Sequence, residues 1–280
     1  MKIAIFYFSG TGNTWWAAGQ LATRLHDRDC EVTVQSVENP LISDEQLLSR
    51  TLSEADQIVL GYPIYCSDAP APVKDFVKKL PRFAKRKNIS IFCTQNSFSG
   101  DGDSFLRKTL RHKGLTLRQS IQINMPTNFQ VPIPPFSFFP PESGEKLEKM
   151  KERANWALSR FADLIVADEK YIQGKNPGYR LFGSLMRWIW KFGIKGLPRH
   201  LWADKSRCTR CGLCVESCPV HNILLENELP VFGKKCISCF RCYNFCPACA
   251  VNYLKGTLDT GKFLRYHGPV KELTPDKFKD

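Results

Sequence analysis

Continuous apolar runs of about six residues recur along the first half of the chain, each followed by residues with helical spacing. Residues 2–8, Lys-Ile-Ala-Ile-Phe-Tyr-Phe, form the first run, and their β-rich character suits a strand buried on both faces. Further candidate strands fall at 31–36, 56–62, 89–95 and 117–123, with helices fitting the intervals at 15–28, 44–52, 72–80 and 103–113. This alternation predicts an α/β fold, a doubly wound five-stranded parallel sheet with helices on both faces. A long helix is expected at 142–170, where Leu147, Met150, Ala154, Leu158, Phe161 and Ile165 lie on one stripe.

The first strand breaks at Ser9-Gly10-Thr11-Gly12-Asn13-Thr14, directly before the first helix. A glycine-and-hydroxyl loop at a helix N-terminus cradles phosphate, because backbone amides point at the anion and the helix dipole favours it. No Gly-Lys-Ser/Thr follows, so this is not a Walker loop, and the glycine spacing does not fit the dinucleotide fingerprint. The hydroxyls of Ser9, Thr11 and Thr14, with Asn13 among them, resemble the FMN-phosphate loop of flavodoxins. That resemblance covers roughly residues 1–165 and implies a flavodoxin-like strand order, with the ligand beyond the carboxyl ends of the strands. It further implies that the loops after the third and fourth strands enclose the flavin ring. Those loops supply Pro63, Ile64 and Tyr65, then Thr94, Gln95, Asn96, Phe98, Gly100, Asp101 and Gly102, with Tyr65 and Phe98 as the matching aromatics.

Beyond residue 200, cysteine spacing becomes the dominant signal. Cys208, Cys211, Cys214 and Cys218-Pro219 repeat 28 residues later as Cys236, Cys239, Cys242 and Cys246-Pro247. Each copy reads C-x2-C-x2-C-x3-C-P, the run that binds a cubane iron–sulfur cluster and lends its fourth cysteine to the neighbouring cluster. Zinc also takes four cysteines, but usually from separated C-x2-C pairs. The expected sets are therefore Cys208, Cys211, Cys214 and Cys246 for one 4Fe–4S cluster, and Cys236, Cys239, Cys242 and Cys218 for the other. The repeat continues past the cysteines, Val220-His221-Asn222-Ile223 matching Ala248-Cys249-Ala250-Val251, so two halves related by a pseudo-twofold are expected. A segment this small has little core, and clusters would supply most of its folding energy. It resembles bacterial two-cluster ferredoxins, which implies a small α+β domain.

Both halves and their order resemble the flavodoxin–ferredoxin fusion proteins of anaerobic bacteria and archaea, the EFR-type ferredoxin family. The resemblance implies an electron carrier with FMN and two 4Fe–4S clusters, relaying electrons to and from an external redox partner. An alternative is an FMN-dependent reductase that acts on a small molecule and is fed by the clusters. No evident acid–base pair and no nicotinamide fingerprint supports it, and no catalytic residue is assigned.

Charge adds a third region. Lysine and arginine number 40 against 27 acidic residues, a net of +13. Between 170 and 207, Lys170, Lys175, Arg180, Arg187, Lys191, Lys195, Arg199, Lys205 and Arg207 face Asp204 alone. Leu181, Phe182, Leu185, Trp188, Ile189 and Phe192 share one helical face there, opposite Arg187, Lys191 and Lys195. Three readings stay open: an interdomain helix, a docking surface for an acidic redox partner, or a peripheral membrane contact. Without a nucleic-acid motif, nucleic-acid binding is not expected. The expected organisation is a flavodoxin-like domain at 1–170, a basic segment at 171–202, a ferredoxin domain at 203–256 and a tail at 257–280. Pro126–Pro141, with Phe129, Phe136, Phe138 and Phe139, reads as an ordered loop near the flavin or the second domain. Clustered cysteines and the lack of a signal peptide point to the reducing cytoplasm. Of the four cysteines left over, Cys30 and Cys93 read as buried thiols, while Cys66 and Cys249 lie where redox sensitivity is plausible.

Overall fold

The computed structural model describes residues 1–130, 140–192 and 200–280. Among them, β1 (Lys2–Tyr7), β2 (Glu31–Ser36), β3 (Gln57–Pro63), β4 (Lys87–Gln95), β5 (Leu115–Asn124) and the short β6 (Tyr171–Ile172) form one sheet in the order β2-β1-β3-β4-β5-β6. Every pairing in it is parallel. The first five strands have the flavodoxin-like order, in which the chain reverses direction across the sheet at β1 and β3. The sixth was not expected; two residues are too few to leave a periodic signal.

Helices cover both faces. α1 (Asn13–His26) buries Trp16, Ala17, Leu21 and Leu25, and α5 (Gly144–Val166) buries Ala154, Leu158, Phe161 and Ile165 on the same face. The other face receives α2 (Glu45–Glu54), α3 (Ala71–Lys79) and α4 (Arg107–His112) through Leu48, Leu52, Val73, Phe76, Val77 and Leu110. Local chemistry sets these boundaries. Asp44 caps α2 by accepting from Gln46 N at 2.9 Å and Leu47 N at 3.1 Å. Pro72 sits in the first turn of α3, where its missing N–H costs nothing. The long helix is shorter than expected, and Leu147 and Met150 are half-exposed because the first turns of α5 lie at the edge of the core.

The second module is small. β7 (Trp202–Ala203) pairs antiparallel with β10 (Val251–Asn252), and β8 (Ile223–Glu226) with β9 (Leu229–Phe232). Between them lie two four-residue helices, α7 (Leu213–Glu216) and α8 (Arg241–Asn244). Their loops repeat in conformation as well as sequence: Arg210 and Ser238 have φ of 60° and 61°, and Gly212 and Phe240 φ of 77° and 54°. The apolar core is a short aromatic stack in which Tyr253 meets Phe240 at 5.0 Å and Tyr243 at 4.8 Å.

Two regions depart from expectation. α6 (Pro177–Phe192) packs its basic side inward: Arg187 bonds Asp101 at 2.7 Å and Ser67 O at 2.8 Å and lies 4.2 Å over the Phe105 ring. Phe182 meets Phe98 at 4.7 Å, but Leu181 and Leu185 are exposed, at 74% and 51%. The helix therefore turns part of its expected apolar stripe outward, because Gly183 allows close approach to Asp101 and the long Arg187 side chain reaches across. The side chains of Lys191 and Phe192, and residue Lys195, lie outside the described residues. So do Phe136, Phe138 and Phe139. The expected tail is a packed strap: Leu273 and Phe278 are buried with Phe245, and Asp280 O accepts from Ser36 N at 2.9 Å and Tyr7 Oη at 3.0 Å.

Candidate functional site

Three cavities hold the expected ligand residues, and two of them share Ser238 and Phe240 in their lining. The outer one is lined by Cys208, Cys211, Cys214 and Cys246, with Pro230, Pro247 and Val251, and the inner one by Cys218, Cys236, Cys239 and Cys242. Each gathers three cysteines of one copy and the fourth of the other. With their open mouths included, they measure about 370 and 420 Å³. Among the described residues, no three Cys, His, Asp or Glu side chains form a group that would hold a single metal ion. The thiols are spread around a volume, as a cubane demands.

Burial makes four of these thiols, Cys214, Cys236, Cys239 and Cys242, poor acids. Desolvation pushes Cys214 up to about 11, helped by the negative charge of Cys246, Cys211 and Cys208, and pushes Cys239 up to about 12. Cys236 and Cys242 are raised for the same reason. As thiolates they need a cationic metal partner, and iron supplies it, so the donor set fits a cluster. Backbone amides add hydrogen bonds at symmetric positions: Asn222 N donates to Cys218 Sγ at 3.3 Å and Ala250 N to Cys246 Sγ at 3.2 Å. Ser238 N donates to Cys236 Sγ at 3.5 Å.

The third cavity, about 820 Å³ including its open mouth, lies between the loops that leave β1, β3 and β4. Of the expected flavin residues, Ser9, Gly10, Thr11, Asn13, Thr14, Pro63, Ile64, Tyr65, Thr94, Gln95 and Asn96 line it. Ser9, Thr11 and Thr14 are buried. Ser9 Oγ accepts from Gly12 N at 3.1 Å, and the hydroxyls of Thr14 and Thr94 lie 2.7 Å apart. Asn13 bonds Pro126 O at 2.9 Å and also accepts from the Tyr266 hydroxyl. Its side chain is thus spent on the scaffold, and its place at the start of α1 leaves the backbone amide as its contribution to an anion. The lining fits a neutral, hydrogen-bonding cradle for phosphate and an apolar slot for a ring.

Gly12, Phe98, Gly100, Asp101 and Gly102 are elsewhere. A Cβ on Gly12 would run into Leu273 and come 3.1 Å from Pro269 Cδ, so that glycine makes room for the strap, and its φ of 100° demands it. Phe98, 44% exposed, packs on Tyr179 and Phe182 of α6. Gly100 backs onto Tyr179 O and Gly183, Asp101 pairs with Arg187, and Gly102 O accepts from Tyr62 Oη at 3.0 Å. The second half of the β4 loop therefore seats α6 instead of facing the cavity. Tyr62 is buried by the same bond.

In place of Phe98, the cavity has Phe129 and Phe240, stacked 4.8 Å apart and 8° from parallel. Cys66, Pro126, Thr127, Asn128 and Ser238 complete the lining. Sequence reading missed these as site residues. The signals were a bulky Phe240 where the first cysteine copy has Gly212, and a Phe129 too apolar for a free linker. Asn128 Nδ2 donates to Cys239 O at 3.1 Å, and its own carbonyl accepts from Asn244 Nδ2 at 2.7 Å. One wall of the cavity is thus made by the inner cysteine loop.

A family model described as a 4Fe-4S dicluster domain matches residues 200–247. The chain joins a flavodoxin-like domain to a 4Fe–4S dicluster domain. That combination gives the fusion a redox role. Solved structures similar to the fusion include a Streptococcus pneumoniae flavodoxin, 17% identical over 60% of this chain and 99% of that one, with a TM-score of 0.42. Flavodoxin 2 of Bacillus cereus is 23% identical over 57% and 99%, TM-score 0.38. An NADH:FMN oxidoreductase in its apo form is 18% identical over 64% and 93%, TM-score 0.42. The fold assignment rests on the strand order, not on these likenesses. No curated protein matches the fusion. Among the described residues, no helix is long and apolar enough to cross a membrane.

Proposed function

We propose that the chain is an electron carrier that relays electrons between an external redox protein, two 4Fe–4S clusters and an FMN held in the large cavity. The observation that carries this reading is a shared wall: Ser238 and Phe240 line both the inner cysteine cavity and the large one. FMN takes up two electrons and releases them singly, and cubane clusters pass one at a time.

The chain's own residues supply binding and spacing. The N-terminus of α1 with Ser9, Thr11 and Thr14 would hold the phosphate, and Tyr65, Phe129 and Phe240 would flank the ring. Buried Arg241, inside the inner cysteine motif, bonds Ser9 O at 2.6 Å and Gly10 O at 3.1 Å, so the phosphate loop and the inner loop move as one body. On the far side Cys211 is exposed, which makes the outer cluster the natural point of exchange with another protein. A net charge of +13 suits a partner with an acidic docking surface, and clustered cysteines suit a reducing cytoplasm.

Direct reduction of a small molecule is the second reading. The cavity opens to solvent, but no carboxylate, histidine, lysine or arginine appears among the described residues that line it. The acidic groups in the lining are the Tyr65 phenol and the Cys66 thiol, both raised by burial and so poor proton donors, which favours the carrier reading.

Anaerobically purified protein should hold about eight iron, about eight acid-labile sulfide and about one FMN per chain. Flavin reduction by the clusters should proceed at a rate independent of protein concentration. Stoichiometric zinc without sulfide, or FAD in place of FMN, overturns the proposal.

A further inference from the structure

Buried hydroxyls without a partner are rare, because an unmade hydrogen bond in an apolar setting costs free energy. Among the described residues five side-chain hydroxyls are in this state, those of Tyr65, Ser67, Ser217, Ser238 and Tyr243, and three of them surround the inner cysteines. The Tyr65 hydroxyl and Ser238 Oγ are both buried and unpaired, and so is Ser217 Oγ beside Cys218. Tyr65 reaches this loop from the flavin side. A methyl placed on Gly10 would run into the Tyr65 hydroxyl while lying 3.5 Å from Cys239 Cβ, so phenol, phosphate loop and cysteine are mutual neighbours. Ser238 stands between Cys236 and Cys239 and lines both the inner cavity and the large one.

The outer loop lacks these donors. At the position equivalent to Ser238 it has Arg210, with the same backbone conformation, and that side chain turns to solvent to pair with Glu228 at 2.8 Å. Among the described residues that line the outer cavity, none has an unpaired buried hydroxyl. The two loops repeat in cysteine spacing and backbone, and besides Phe240 standing where the outer loop has Gly212, they differ in these donors.

We propose that Tyr65 and Ser238 donate hydrogen bonds to the sulfurs of the inner cluster and make it a better electron acceptor than the outer one. The inference rests on the two-cluster reading above. Donors held against cluster sulfurs stabilise the form with the extra electron, since added negative charge makes sulfur a stronger acceptor. The potential difference then biases electrons inward, from the exposed outer cluster towards the flavin cavity. Tyr65 and Ser238 are positioning residues in this scheme: they tune the cluster through its sulfurs.

The test is EPR-monitored potentiometry of the intact protein. The inner cluster is identified as the one whose signal changes in Cys236→Ser. Iron and sulfide analysis comes first, and a protein without clusters fails the two-cluster reading itself. In the wild type the inner cluster should be reduced at the higher potential. Tyr65→Phe and Ser238→Ala keep the packing and remove one hydroxyl each. Each should shift the inner reduction equilibrium about tenfold towards oxidised, 59 mV for a one-electron couple, and leave the outer cluster unchanged. Unchanged inner potentials in both variants overturn the proposal. So does a change confined to flavin affinity or flavin potential, which would show the hydroxyls serve the flavin.

Discussion

Arg241 and Glu38 are joined by two hydrogen bonds, Nη1 to Oε1 at 3.0 Å and Nη2 to Oε2 at 2.7 Å, with side chains 0% and 8% exposed. The guanidinium also bonds three carbonyls, those of Ser9, Gly10 and Ser217, and lies 5.0 Å from the Phe278 ring centroid. One side chain therefore ties together the phosphate loop, the loop after β2, both cysteine loops and the strap. A planar fork with five donors can do this; an ammonium cannot. Breaking a buried pair by removing one partner strands the other's charge, at about 3–5 kcal/mol. Glu38→Gln and Arg241→Gln are each expected to lower stability by that order, read by denaturant unfolding of the anaerobic protein. A loss under 1 kcal/mol would mean the two modules dock without the pair.

The phosphate cradle should respond to its hydroxyls. Thr14 and Thr94 share one hydrogen bond inside the cavity wall, and Thr14 lies in the first turn of α1. Thr14→Val removes a donor to the anion while keeping the shape. FMN binding is expected to weaken by about 1–3 kcal/mol, with cluster content unchanged. Isothermal titration of the flavin-stripped protein measures it, and undiminished affinity would place the phosphate elsewhere.

The surface of α6 makes a contrasting pair. Leu181 is 74% exposed, so Leu181→Glu should change stability by less than about 0.5 kcal/mol. Arg187→Ala breaks its bonds to Asp101 and Ser67 O and leaves a buried carboxylate unpaired, which should cost about 1–3 kcal/mol. Thermal unfolding of both variants tests the docking. Equal effects would mean the helix packs by the apolar stripe that its sequence suggests.

Why that stripe misled is instructive. Periodicity identifies a helix and its apolar face, and α6 is a helix; it does not say which face a given surface will accept. Gly183 and Asp101 decide the matter, and they are 82 residues apart in the sequence. The strands and the cysteine sets were legible for the opposite reason. A strand buried on both faces must be apolar throughout, and a cubane fixes three of its ligands within seven residues. The β4 loop was legible in part: Thr94, Gln95 and Asn96 follow the strand into the cavity, whereas Phe98 is claimed by Tyr179 and Phe182. The stretch carrying Phe129 was legible as a loop near the flavin or the second domain, whereas Ser238 and Phe240 were not legible as cavity residues, because contact between modules leaves no local pattern.

Cys66 offers a pH test. Burial pushes its thiol up to about 11. The thiolate is the nucleophile, so at pH 8 alkylation should run roughly 200-fold slower than for an ordinary thiol and accelerate as pH rises towards 11. The raised value favours the folded state while the thiol is neutral. That contribution is complete below about 8.5 and disappears as pH passes through about 11. Site-resolved mass spectrometry after timed iodoacetamide treatment gives the rate, and rapid labelling at pH 8 would contradict the burial.

The strap links the far end of the chain to the phosphate loop, and its loss should be felt there. Phe278 is fully buried against Phe245 at 5.7 Å and under the Arg241 guanidinium, while Leu273 occupies the space above Gly12. Phe278→Ala opens a cavity worth about 3–5 kcal/mol, and part of that strain must fall on the loop that the strap holds down. The expected outcome is lower stability together with weaker FMN binding, while iron and sulfide stay at the wild-type level. Gly12→Ala should act on the same contact from the other side, because a methyl there strikes Leu273 at a φ of 100° that alanine resists. If both variants lose stability yet bind FMN as tightly as the wild type, the strap is structural padding and the loop is held by Arg241 alone. Flavin fluorescence titration beside iron analysis separates the two outcomes.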